Sequence, residues 1–173
     1  MNAPELWDVY DANRAPAGRT VTRDSANVPP GDYHLVVRAF IVGRDGRILL
    51  TKRSPNKRGA GMWEAPAGSV LAGEDSRAGV LREVLEECGV ALDPNGGEIF
   101  RQGLWTAETY GDISHHWDEW LFLRDVDLSE VRLQEGETCD ATLATLGELE
   151  TLVSGGCFFG GADPLPELRR ILR

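Results

Sequence analysis

Three glutamates, Glu83, Glu86 and Glu87, lie within five residues of one another in a segment with helical periodicity. At about 100° per residue they fall within about 100° of one another on a helix. Like charges at these spacings repel, so the cluster weakens the helix unless something neutralises it. Arg82 stands beside them, and the segment 75–88 contains no lysine. A face of carboxylates suits a hard divalent cation, because Mg²⁺ takes oxygen ligands and carboxylates at helical spacing can share it. A solvated acidic surface is the plain alternative, since glutamate normally faces water. The same wheel gathers Ala78, Leu81, Val84, Leu85 and Cys88 into an apolar stripe, which predicts that this stripe faces the core and the glutamates face away.

The residues ahead of the helix separate the two readings. Gly68 is followed after five residues by Glu74, and after seven more by Arg82-Glu83, then Val84, Leu85, Glu86-Glu87, Cys88, Gly89 and Val90. This 23-residue pattern resembles the signature of the Nudix hydrolases with every defining position filled. A chance match is on the order of 10⁻⁹ per starting position at ordinary residue frequencies. The resemblance extends through the flanking strand pattern, over residues 35–155.

That resemblance implies an α/β/α sandwich with a mixed β-sheet and a metal-dependent pyrophosphohydrolase. The bond cleaved is a diphosphate linkage in a nucleoside diphosphate derivative or similar small molecule. It further implies that Glu83, Glu86 and Glu87 bind Mg²⁺ or Mn²⁺ with the backbone carbonyl of Gly68, where a close approach leaves no room for a side chain. Arg82 and Glu74 are then structural supports. Catalysis is expected from Glu86, Glu87 and an acid outside the helix. Glu119, in HHWDEWLF, is the first candidate, because an inward-facing acid on an otherwise apolar strand is odd without a cation. Glu137, in LQEGETCD, is the second, and Asp118 is expected in solvent.

Other residues are weaker signals. Lys52 and Arg53, with Lys57 and Arg58, form a basic cluster ahead of the signature and are candidates for contacting substrate phosphate. Trp105, Tyr110, Trp117 and Trp120 are candidates for stacking on a base, although strand aromatics more often pack in the core. Trp63 is expected in the core. His115 and His116 are adjacent, so on a strand they point to opposite faces and do not share a metal. The region from WDVYDANRAPAG to GMWEAPAG also resembles isopentenyl-diphosphate isomerase, a divergent Nudix relative. That resemblance would imply a cysteine before the signature glycine and several histidines. Here Ala67 holds the cysteine position, His34 is the one histidine counterpart and Asn27 stands where another is expected. The similarity therefore marks an isomerase-like branch of the hydrolases, with isomerase activity or a non-catalytic nucleotide sensor as the alternatives.

The elements that must position these residues follow from turn and cap chemistry. The opening WDVYDANRAPAGRTVTR reads as strand, turn, strand, within an N-terminal extension (1–33) of a single domain (1–173). HLVVRAFIV and RILLTKR form a hairpin about Gly43–Gly46. Met62–Ala65 reads as a short strand. Asp75 or Ser76 caps a helix that Gly89 ends. Strands in EIFRQGLWTAET and HWDEWLFLRDV follow, then helices near Leu146–Val153 and Pro166–Leu172. The 173 residues carry a formal net charge of −10, a field that repels nucleic acid but not a metal-bound phosphate. Three cysteines with no CxxC spacing suit a reducing cytoplasm. The acidic start lacks the pattern of a signal peptide, and the Val36–Val42 run is too short to span a membrane. The expected partner is a small-molecule diphosphate in the cytoplasm, with neither nucleic acid nor membrane, and with room for a homodimer.

Overall fold

A computed structural model describes residues 4–23, 28–106, 114–161 and 163–172. Its centre is strand β3 (His34–Val42), which alternates Leu35, Val37, Ala39 and Ile41 with Arg38, Phe40 and Val42. Both sets are largely buried, so the strand serves two cores rather than one. β3 runs parallel to β8 (His115–Leu123) from His34↔His115 to Val42↔Leu123. β7 (Glu98–Trp105) lies antiparallel beyond β8. On its other side β3 meets β6 (Ala67–Ser69) near one end and β4 (Ile48–Arg53) near the other. β4 in turn carries β5 (Trp63–Glu64) and β9 (Thr138–Ala144), giving a seven-stranded mixed sheet. Parallel central strands covered on both faces read as nearly continuous apolar runs, as β3 does.

Helix α1 (Ser76–Cys88) covers one face, packing Val80, Val84 and Cys88 on Val37, Ala39, Ile41, Trp120 and Phe122. Helices α2 (Leu146–Ser154) and α3 (Leu165–Ile171) cover the other, placing Leu149, Leu165 and Leu168 among Phe40, Val42, Ile48, Leu50 and Leu121. The result is the expected α/β/α arrangement around a mixed sheet. β1 (Leu6–Tyr10) and β2 (Pro16–Thr22) form a separate antiparallel hairpin. The hairpin about Gly43–Gly46, the caps of α1 and the two late helices match their sequence signals. β6 and β9 were not anticipated: β6 has three residues, and TCDATLA mixes polar and small residues without a clean alternation. No helix among the described residues is long and apolar enough to cross a membrane.

One expectation is corrected here. The buried residues of α1 are Gly79, Val80, Glu83, Val84, Glu87 and Cys88. Ala78 is exposed and Leu85 is 53% exposed. The helix is thus rotated from the orientation that hydrophobicity alone favours. Gly79 explains part of this, because a Cβ there would meet Val70 Cγ2 at 2.8 Å. A helix that approaches so closely on its glycine side turns Glu83 and Glu87 inward and Leu85 outward. Val84→Ala is accordingly expected to cost about 2–3 kcal/mol in urea unfolding. Leu85→Ala should stay within about 0.5 kcal/mol of wild type. A larger loss at Leu85 than at Val84 would contradict the observed rotation.

Candidate active site

The inward turn of α1 presses its acids against β6. Asp75 caps the helix by accepting from the Ala78 N–H at 2.7 Å, and Gly89 ends it at φ 67°. At the level of Gly68, an added Cβ would lie 2.0 Å from Glu83 Cδ and 2.2–2.3 Å from its carboxylate oxygens. The space beside Gly68 is therefore filled by the Glu83 carboxylate, and glycine is required there by volume. One turn on, Glu87 accepts from the Ala67 N–H at 3.2 Å.

Arg82 ties this group together. Its Nε donates to Glu74 Oε1 at 2.8 Å, and Nη2 donates to Glu74 Oε2 at 3.0 Å and to the Ser69 carbonyl at 2.9 Å. Nη1 donates to Glu83 at 2.9 Å and to Glu86 at 3.0 Å. Glu74 in turn accepts from the Leu71 N–H at 2.9 Å, which fastens the preceding loop. Glu86 remains half-exposed, while Glu83 and Glu87 are buried.

A further acid emerges that sequence reasoning passed over. Glu64, on β5, is 2% exposed and takes two 2.7 Å hydrogen bonds from Arg53 Nη1. The signal was available, because an acid between Trp63 and Ala65 invites the same question that was asked of Glu119. Burial raises the carboxyl pKa of Glu64 despite Arg53, and raises that of Glu83 despite Arg82. Glu87 is pushed up to about 8, first by burial and then by the negative charges of Glu64 and Glu83. Desolvation and like-charge crowding act in the same direction on an acid.

The structure sorts the remaining candidates. Glu119 does not join the cluster. It shares strand parity with Leu121, on the α2/α3 face of the sheet, and pairs with Arg38 at 3.0 Å and Arg101 at 3.2 Å. Its inward orientation is met by two guanidinium groups, although burial still raises its carboxyl pKa. Glu137 pairs with Lys57 and lies close enough to Glu87 to raise its pKa, so it belongs to the signature side. Asp118, expected in solvent, is fully buried and accepts from Arg14, Ser76 and Gln102. Arg53 is engaged with Glu64 and packs over the Phe159 ring at 4.0 Å, and Lys52 sits 5.4 Å from the Trp63 ring centroid. Trp120 is a core residue whose indole N–H donates to Ser76 Oγ at 3.0 Å, which removes it as a stacking platform. Trp105 and Trp117 line a small recess with Arg38, Glu119 and Gly161. Tyr110 and Asn27 lie outside the described residues. His116 bonds the Asp11 carbonyl at 2.8 Å while His115 faces Trp105 and His34, so the two rings do diverge. His34 is buried against Trp7, with its pKa lowered to about 3 by that burial.

Among the described residues no three acids, histidines or cysteines converge on one point in ligating geometry. Arg82 and the Ala67 amide hold the carboxylates along the helix instead. The donor chemistry nonetheless fits a hard divalent cation: every side chain offered is a carboxylate, and two of them are buried in excess negative charge.

A buried acid whose folded pKa lies above the unfolded value makes folding less favourable as it ionises. Its contribution is intact below about pH 4.5 and is lost as pH rises toward 8. His34 acts oppositely, but only below about pH 6.5. With divalent cations removed by chelation, the melting temperature of wild type should therefore fall between pH 7 and 8 more steeply than that of Glu87→Gln. Parallel profiles would show that Glu87 is not the strained acid.

Comparison with known proteins agrees with this geometry. The NUDIX domain family matches residues 32–156. An uncharacterized Nudix hydrolase of Listeria monocytogenes is 36% identical over 161 residues, covering 89% of this chain and 88% of the relative. The crystal structure of DR0079 from Deinococcus radiodurans superposes with a TM-score of 0.70 at 19% identity, over 98% of this chain and 100% of that one. A bifunctional NMN adenylyltransferase/ADP ribose pyrophosphatase of Francisella tularensis, solved with AMP and a Mn ion, has a TM-score of 0.60 at 17% identity, over 81% of this chain and 41% of that one. With the signature complete, its acids gathered beside Gly68 and the family match spanning most of its length, the chain belongs to the Nudix hydrolases.

Proposed function

We propose that this hydrolase cleaves the diphosphate linkage of a nucleoside diphosphate derivative with the help of Mg²⁺ or Mn²⁺. Glu83, Glu86, Glu87 and the carbonyl of Gly68 would hold the cation. The observation that carries this reading is the buried acid cluster of Glu64, Glu83 and Glu87 on a backbone that lacks a Cβ at Gly68. Arg53 and Arg82 compensate this group only in part, and buried carboxylates left short of positive charge are unfavourable unless a cation completes them. The Mn ion and the ADP ribose pyrophosphatase activity named for the Francisella neighbour support the choice of cation and substrate class.

When bound, the cation supplies charge neutralisation at the diphosphate and lowers the pKa of a coordinated water. The protein's own residues do the rest. Glu74 orients Arg82, and Arg82 fixes the rotamers of Glu83 and Glu86. Arg53 restrains Glu64 behind Glu87. Glu86 and Glu87 are the catalytic acids in this reading, and the pKa of Glu87, raised by burial and by Glu64 and Glu83, marks where a bound cation would relieve the most negative charge. For an acid supplied from outside the helix, Glu137 replaces Glu119, because of those two Glu137 lies near enough to act on Glu87 and Glu119 faces the other side of the sheet. The absence of a thiol at Ala67 favours hydrolysis over isomerisation of an isopentenyl substrate.

The test is phosphate release from a panel of nucleotides, nucleotide sugars, dinucleotides and isopentenyl diphosphate, with Mg²⁺ or Mn²⁺ and with chelator. At least one member should turn over. Glu87→Gln should fold yet lose about 10²–10⁴-fold in kcat. Glu137→Gln should lower kcat more than Glu119→Gln does. Near-wild-type turnover by Glu87→Gln, or turnover that survives chelation, would overturn the proposal.

A further inference from the structure

The family match begins at residue 32, so the β1–β2 hairpin stands outside it. The hairpin is nonetheless fastened to the signature segment directly at its loop and, through Asp118 of β8, at the first residue of α1. In the loop between Gly68 and α1, the Ala72 N–H donates to the Leu6 carbonyl and the Gly73 N–H donates to the Asp8 carboxylate, both at 2.8 Å. At the start of α1, Arg14 in the hairpin turn pairs with buried Asp118. Asp118 also accepts from the hydroxyl of Ser76, the first residue of α1, which accepts from Trp120 in turn.

Arg14 adopts φ 66°, the one non-glycine residue with positive φ among those described. A side chain in the left-handed region carries a conformational cost, so the turn presents this guanidinium at the expense of backbone comfort. Further contacts dock the hairpin on β3 and β8: Tyr10 and Tyr33 exchange backbone hydrogen bonds, Trp7 stacks on His34 at 4.1 Å, and His116 bonds the Asp11 carbonyl.

From these contacts a continuous path leads to the acids. Gly73 adjoins Glu74, which also receives the Leu71 N–H, and Glu74 holds Arg82, which holds Glu83 and Glu86. We propose that the N-terminal hairpin is a working part of the active site, with Asp8 and Arg14 as positioning residues that fix the loop and the first turn of α1, and so the Glu83 and Glu86 carboxylates, for the divalent cation. This rests on the metal-dependent reading above.

The experiment uses the full chain and the variants Asp8→Ala, Asp8→Asn and Arg14→Gly. Mn²⁺ affinity is followed by electron paramagnetic resonance, kcat and KM are measured separately, and the melting temperature is recorded for each. Asp8→Asn keeps an acceptor for the Gly73 N–H, and glycine relieves the positive φ at position 14 while deleting the guanidinium. Asp8→Ala and Arg14→Gly should weaken Mn²⁺ binding and lower kcat by about 10- to 100-fold, leaving KM nearly unchanged. Asp8→Asn should recover most of the loss. Wild-type Mn²⁺ affinity and kcat in both Asp8→Ala and Arg14→Gly would overturn the inference. So would an Asp8→Asn no better than Asp8→Ala, or losses that vanish on cooling below the variants' melting range. A wild-type chain that neither binds Mn²⁺ nor turns over any diphosphate would instead remove the reading beneath it.

Discussion

The structure depends on negative charge packed against backbone where little water reaches it. Glu83 occupies the space a side chain at position 68 would need, and Glu87 lies one turn away against the Ala67 amide with Glu64 behind it. Desolvation penalises each ionised carboxyl, and each raises the cost of ionising the next. Arg82 and Arg53 offset part of this penalty, yet Glu64, Glu83 and Glu87 all remain harder to ionise than a free carboxyl. A fold that retains this arrangement carries buried negative charge that a bound cation would relieve.

The sheet gives the same residue type two different fates. On the α1 face, the signature acids outnumber their cations. On the other face, Glu119 is equally inaccessible but lies between Arg38 and Arg101. Arg101 also approaches Glu167 of α3, so the second face is knitted into the helical layer by paired charges. Breaking such a buried pair leaves an uncompensated charge, which is why Glu119 reads as part of the scaffold. Asp118, one residue earlier, faces α1 and links the N-terminal hairpin to the first residue of that helix.

Much of this was legible in the sequence. The spacing from Gly68 to Val90 picked out Glu74, Arg82, Glu83 and Glu86, which the structure brings into one hydrogen-bonded group, and Asp75 and Gly89 bounded the helix through ordinary capping chemistry. The rotation of α1 was not legible, because a helical wheel weighs hydrophobicity and gives no credit to Gly79 for close approach or to glutamates for being buried. Strand parity was equally ambiguous on β8: a central strand covered on both faces buries Asp118 and Glu119 alike, and period-two alternation does not say which face meets α1. Glu64 lay in a short strand that the sequence did suggest, but its approach to Glu87 is non-local, as are the contacts that bring Asp8 to Gly73 and Arg14 to Asp118.

The central claim is that the inward face of α1 is a cation site. It is tested most directly by a crystal structure of the protein soaked in Mn²⁺, with data collected to locate manganese by anomalous scattering. The account predicts a peak bounded by the carboxylates of Glu83, Glu86 and Glu87 and the carbonyl of Gly68, with Arg82 displaced from at least one of the glutamates it now holds. A peak on the Glu119 face of the sheet, or full Mn²⁺ saturation with no density at the helix, would contradict it.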